Sequence, residues 1–166
     1  APRGSYDREI CADIGMYKGD GDADLVICQA VLEHVTDTEQ ALRSMASCLK
    51  CGGKALLFVP SRHAAYARLG MILPERLKRW IIRRMMPESA HMRGFKAYYD
   101  RCTPRQFRAM AERCGFEVEE VKCYYTSSYF SHFFPAHVVW RLWIGFFYFV
   151  CRENAAETFT LALRKR

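Results

Sequence analysis

The chain has 166 residues, 51% hydrophobic and 26% charged, with no low-complexity tract and no internal repeat. That length suits one core, as one domain or a large part of one, and the composition is that of a globular chain. The net charge of +7 favours acidic partners such as phosphate-bearing substrates, anionic membrane surfaces or nucleic acid, without choosing among them.

In chain order, residues 1–9 are polar and expected to fray. Glu9 to Ile14 reads as the tail of a strand. Gly19 to Asp24 looks superficially like a calcium loop but has no downstream Glu, and reads as a turn. Asp24 to Ala30 is a short apolar run, as expected of a strand buried on both faces of a parallel sheet. Thr36 and Glu39 have capping-box spacing. Ala41, Leu42, Met45 and Leu49 recur at helical spacing, and Gly52-Gly53 offers a left-handed stop. Lys54 to Val59 reads as a second buried strand closed by Pro60. Strand, crossover helix and parallel strand together predict an α/β fold.

The stretch also carries a resemblance. Asp24-Leu25-Val26, Val31-Leu32-Glu33-His34-Val35 and Leu49-Lys50-Cys51-Gly52-Gly53-Lys54 resemble the fourth and fifth strands of class I S-adenosylmethionine-dependent methyltransferases, in the branch acting on small molecules, lipids and sugars. Cys51 stands where that family usually has proline. The resemblance implies a partial Rossmann-like sheet made of the tail of strand 3 and strands 4, 5, 6 and 7. Gly15, Gly19 and Gly21 neither follow an apolar strand nor open a helix, so the family's glycine-rich cofactor loop is expected upstream. Residues 1–166 are accordingly expected to form the C-terminal part of a methyltransferase domain, with weak cofactor binding on their own.

By the same resemblance, Asp13 and Ile14 would meet the cofactor's adenine through a carboxylate and a backbone amide; the alternative is an aspartate capping its own turn. Cys28 and Gln29, at the carboxyl end of a strand where ligands of open α/β sheets bind, would touch its methionine part, or simply pack. His34 is a candidate general base for a hydroxyl acceptor, or a residue that fixes its loop.

Two insertions interrupt the pattern, at about 61–102 and 126–154. In the first, Pro74 to Met86 reads as an imperfectly amphipathic basic helix, either a lid or an interfacial element. Tyr98 and Tyr99 are candidates to orient the acceptor, and Arg93, Lys96 and Arg101 to hold an anionic group. Thr103-Pro104-Arg105-Gln106 is a strong helix start, Gly115 its stop, and Phe116 to Tyr124 an alternating strand. This T-P-x-x-F…G-F-E-V pattern again resembles the family, and Glu157 to Arg164 would be its seventh, antiparallel strand. In the second insertion, Tyr129 to Cys151 is strongly apolar but interrupted by His132, Pro135, His137 and Arg141. Both flanking strands join one sheet, so it cannot be a single membrane span. It is expected as a helical hairpin cap, a homodimer surface (129–151) or a membrane-skimming segment.

The eight cysteines are read as structural. Cys28 and Cys114 occupy apolar positions, no secretion signal opens the chain, and Cys48-Leu-Lys-Cys51 is a lone CxxC, so no metal site and a cytoplasmic location are expected. The functional expectation is S-adenosyl-L-methionine-dependent methyl transfer to a small-molecule or lipid-linked acceptor. The alternative is a non-catalytic module that binds a partner or a membrane surface, peripherally, through the apolar insertions. No nucleic-acid partner is expected, because basic and aromatic residues do not interleave as in RNA-binding modules.

Overall fold

The computed structural model describes residues 7–65, 67–68, 73–74, 76, 96–126 and 134–166. Four strands, β1 (Ala23–Gln29), β2 (Leu49–Pro60), β3 (Phe116–Tyr124) and β4 (Thr158–Lys165), form one sheet in the order β1-β2-β4-β3. β1 and β2 run parallel, with Val26 opposite Ala55 and Cys28 opposite Leu57. β4 is antiparallel to both of its neighbours. The parallel pair and the antiparallel last strand are as the sequence predicts.

Helix α1 (Thr38–Cys48) makes the crossover and α2 (Pro104–Arg113) precedes β3. Both press on one side of the sheet. Ala41, Leu42 and Met45 from α1 and Phe107 and Met110 from α2 pack into one core with Ala55, Leu57, Val59 and Phe159. Phe107 meets Phe159 edge to face, with centroids 5.3 Å apart. Thr103 caps α2 by accepting from the Gln106 amide, and Gly115 leaves it at φ 86°.

Several expectations give way. Glu9 to Ile14 forms no strand; Asp13 instead anchors a turn through Ile14–Met16. The helix cap is Asp37, which accepts from the Gln40 amide, because Glu39 is drawn into pairs with Arg43, Arg101 and Arg113. Nor does glycine stop α1. The chain enters β2 at Leu49, and Gly52 at φ 78° sits within a register shift between the Ala23–Leu49 and Leu25–Lys54 pairs. A Cβ at Gly53 would lie 2.9 Å from the Lys50 carbonyl oxygen.

β1 and β2 are not buried on both faces. Leu25, Ile27 and Leu56 are exposed, because α1 and α2 cover the side holding Cys28, Ala55 and Leu57.

Among the described residues of the second insertion, Phe134–Cys151 forms a long helix, α3; Pro135 falls in its first turn, where a missing amide costs nothing. Among the described residues no helix is long and apolar enough to cross a membrane. The basic helix expected over 74–86 lies outside the described residues, apart from Pro74 and Arg76.

Candidate active site at the carboxyl end of the first strand

β1 delivers Gln29 to its carboxyl end. Ala30 then adopts φ 51° while its amide donates to the Phe58 carbonyl, so the chain leaves the sheet sharply. A single 3-10 turn, Leu32–His34, follows; Leu32 sinks into the core and takes Glu33 with it.

The end of the first insertion comes back to this turn. The amides of Tyr98 and Tyr99 both donate to the Glu33 carbonyl, at 2.8 and 3.0 Å. His34 Nδ1 donates to the Lys96 carbonyl at 3.0 Å. Asp100 accepts from the Thr38 amide, and its carbonyl from the Thr38 hydroxyl, at 3.0 and 2.7 Å. Arg101 reaches Asp37 and Glu39 at 3.0 and 3.2 Å while also holding Asp100. Tyr99 and Arg101 both have φ near 50° without being glycine, a strained conformation that these bonds over-determine.

The electrostatics follow from burial. Desolvation pushes the Glu33 carboxyl above its usual range, opposed by its own backbone amide and by His34, and its Oε2 has no partner among the described residues. Burial, reinforced by Glu33, pushes the thiols of Cys28 up to about 11 and Cys102 up to about 12. Both therefore stay protonated and are poor nucleophiles. A carbonyl can only accept, so the Nδ1–Lys96 bond places the proton of the neutral imidazole on Nδ1 and leaves Nε2 as the basic nitrogen. Nε2 lies 3.7 Å from Glu33 Oε1, and the side chain is 32% exposed. A hydroxyl brought to Nε2 can give up its proton there, with the Glu33 carboxyl on that same side of the ring and the Lys96 carbonyl on the other.

Of the residues singled out from sequence, the fold brings His34, Tyr98 and Tyr99 together around Glu33, close beyond Cys28 and Gln29. Tyr98 is half-exposed, with Lys96 Nζ 4.9 Å from its ring centroid; Tyr99 packs on the core. Asp13 Oδ1 accepts from the Gly15 amide at 2.8 Å, as an aspartate capping its own turn does, and Ile14 packs against the core. Arg101 is no anion-holder, because three carboxylates already surround it. Arg93 lies outside the described residues. The sequence reading missed the brace made by Thr38, Asp100 and Arg101. Its partners are 62 to 64 residues apart, and no local spacing reveals such a contact.

A shallow groove of about 280 Å³ lies on the sheet face away from the helices, lined by Ile27, Gln29, Leu56, Phe58, Tyr124 and Thr160 among others. It shares only Cys28 and Gln29 with the site above.

The family model of the methyltransferase domain matches residues 2–121. A ubiquinone biosynthesis O-methyltransferase of Xanthomonas euvesicatoria pv. vesicatoria is 33% identical over 101 residues, covering 61% of this chain and 38% of the relative. The chain thus spans well under half the length of the curated relatives it matches. Among solved structures, an S-adenosylmethionine-dependent methyltransferase from Mesorhizobium loti superposes with a TM-score of 0.55 at 14% identity, over 93% of this chain and 67% of that one. Another from Methanosarcina mazei gives 0.51 at 15% identity, over 93% and 65%. At these identities the structural likeness speaks for the fold.

Proposed function

Because the chain belongs to the class I S-adenosylmethionine-dependent methyltransferases, we propose that it serves methyl transfer to a hydroxyl oxygen of a small molecule, with His34 Nε2 receiving the hydroxyl proton. The observation that carries this reading is the Nδ1–Lys96 carbonyl bond, which fixes the imidazole in the base-competent tautomer beside a buried carboxyl. The curated relatives are themselves named O-methyltransferases, which favours oxygen as the acceptor atom.

The residues present fit one end of the cofactor. Gln29, exposed at the carboxyl end of β1, offers a polar group where the methionine part would lie, and Glu33 Oε2 is a buried acceptor without a partner among the described residues. At the nucleoside end, one oxygen of the exposed Asp13 carboxylate accepts from its own turn and the other is left for a ligand donor. When bound, the cofactor supplies an electrophilic methyl group. The rest falls to this chain. Tyr98 and Tyr99, pinned by the Glu33 carbonyl, hold the acceptor over the loop, and His34 takes its proton so that the oxygen attacks as an alkoxide or phenoxide.

The test is methyl transfer from labelled S-adenosylmethionine, at millimolar donor, to matched hydroxyl- and amine-bearing small molecules. O-methyl product is expected, with kcat falling on the order of 100-fold in His34→Ala while the acceptor KM stays nearly constant. In the same profile, rate should rise with pH through a single ionisation that the variant loses. Preference for the amine, no product from either acceptor, or full activity in His34→Ala would overturn the assignment. The Asp13 turn and the exposed outer sheet face favour a second reading, a module that binds without turnover. Absence of product from either acceptor would favour it.

A further inference from the structure

Helix α3 carries two apolar seams, and only one is used. His137, Trp140, Ile144, Phe147 and Cys151 recur every three or four residues and face the domain; Trp140 and Ile144 are buried. That side is anchored by the Trp140 indole N–H, which donates to the buried Glu157 at 3.2 Å, and by Arg68, 4.8 Å from the Phe147 ring centroid. Half a turn away run Val139, Leu142, Phe146, Phe149 and Val150, each between 66% and 80% exposed. Trp143 and Tyr148 flank this outer seam and are themselves half-exposed.

We infer that the outer seam of α3 docks on an anionic lipid bilayer, with the helix lying in the plane of the interface. Charge decides the occupant. No carboxylate occurs between Phe134 and Cys151, Arg141 projects from the helix, and Arg152 follows it directly. The Arg152 guanidinium lies 5.9 Å from the Phe149 ring centroid, at the border of the apolar seam, the placement a snorkelling cation takes. The two nearest acids in the chain are already engaged: Glu153 pairs with Arg108 at 3.8 Å, and Glu157 is buried under Trp140. A second copy would bring another +7 against the first and no carboxylate on its own α3 to answer Arg141, whereas anionic headgroups answer both arginines. Trp and Tyr beside an apolar stripe suit the headgroup level, where one edge of the ring is dry and the other wet. Because β3 and β4 are neighbours in one sheet, both ends of the connection return to the same side, so the helix lies on the surface rather than through it.

The experiment is vesicle co-sedimentation of the whole chain, with phosphatidylcholine alone and with about one third phosphatidylglycerol as the strongly anionic case. The wild-type chain should pellet with the anionic vesicles, weakly with the neutral ones, and be released by added salt. Phe146→Glu with Phe149→Glu, on exposed positions, should lower partitioning at least tenfold with an unchanged circular dichroism spectrum. Arg141→Gln with Arg152→Gln should remove about fivefold per cation from anionic vesicles only. Equal pelleting of wild type and both variants would overturn the inference. So would a wild-type chain that ignores vesicles and forms a dimer, by light scattering, that Phe146→Glu dissociates.

Discussion

The two faces of the sheet differ more than their sequences do. β2 reads Ala55-Leu56-Leu57-Phe58-Val59, apolar at every step, yet Ala55, Leu57 and Val59 are buried under α1 and α2 while Leu56 looks outward. Along β4, Phe159, Leu161 and Leu163 alternate with Thr160 and Ala162, which line the open groove. The lesson is that an apolar residue stabilises only where another element covers it, since the gain comes from area removed from water.

The strongest way to break this comparison is truncation on each face. Phe159→Ala should cost about 3–5 kcal/mol, because it opens a cavity against Phe107, while Leu56→Ala should stay within about 0.5 kcal/mol. Chemical denaturation of the two variants checks this, and similar costs would mean that the outer face is covered in solution.

A second test concerns the carboxyl between the inner domain and α3. Glu157 accepts from the Trp140 indole and the Ala65 amide, and burial raises its carboxyl above the ordinary range. A raised acid contributes stability that is complete below the ordinary carboxylate range and lost as pH rises through the raised value. Glu33 acts in the same sense, while Glu39, held down to about 2 first by the Arg113 hydrogen bond, stays ionised from pH 5 upward and adds no slope there. Glu157→Gln keeps an acceptor without the charge. Its denaturant midpoint should gain on that of the wild type as pH rises above the ordinary carboxylate range; parallel curves would refute the buried-carboxyl account.

The smallest effect is expected at the brace. Arg101 is part-exposed, so Arg101→Ala should cost only about 0.5–1 kcal/mol and less at high salt. Its consequence should lie in acceptor KM rather than kcat, because it loosens the segment carrying Tyr98 and Tyr99 at its Asp37 and Glu39 contacts without touching His34. A kcat loss equal to that of His34→Ala would place Arg101 in the chemistry instead.

The sequence by itself determined the strand–helix–parallel strand unit and the capped start of α2, while its resemblance to the family implied the antiparallel last strand. The first two rest on periodicity or on a cap a few residues long, which are local properties of the chain. It also carried the His34 loop, through the Val31-Leu32-Glu33-His34-Val35 motif. Only the tertiary structure decided that β1 is covered on one face, that Asp37 rather than Thr36 caps α1 and that α3 keeps a dry and an open seam. Those outcomes depend on which distant group arrives first: Arg113 and Arg101 compete for Glu39, and helices cover one side of the sheet and not the other. Distances of 60 or more residues along the chain leave no periodic trace, so the brace around Tyr98 and Tyr99 exists only once the sheet has brought its two ends together.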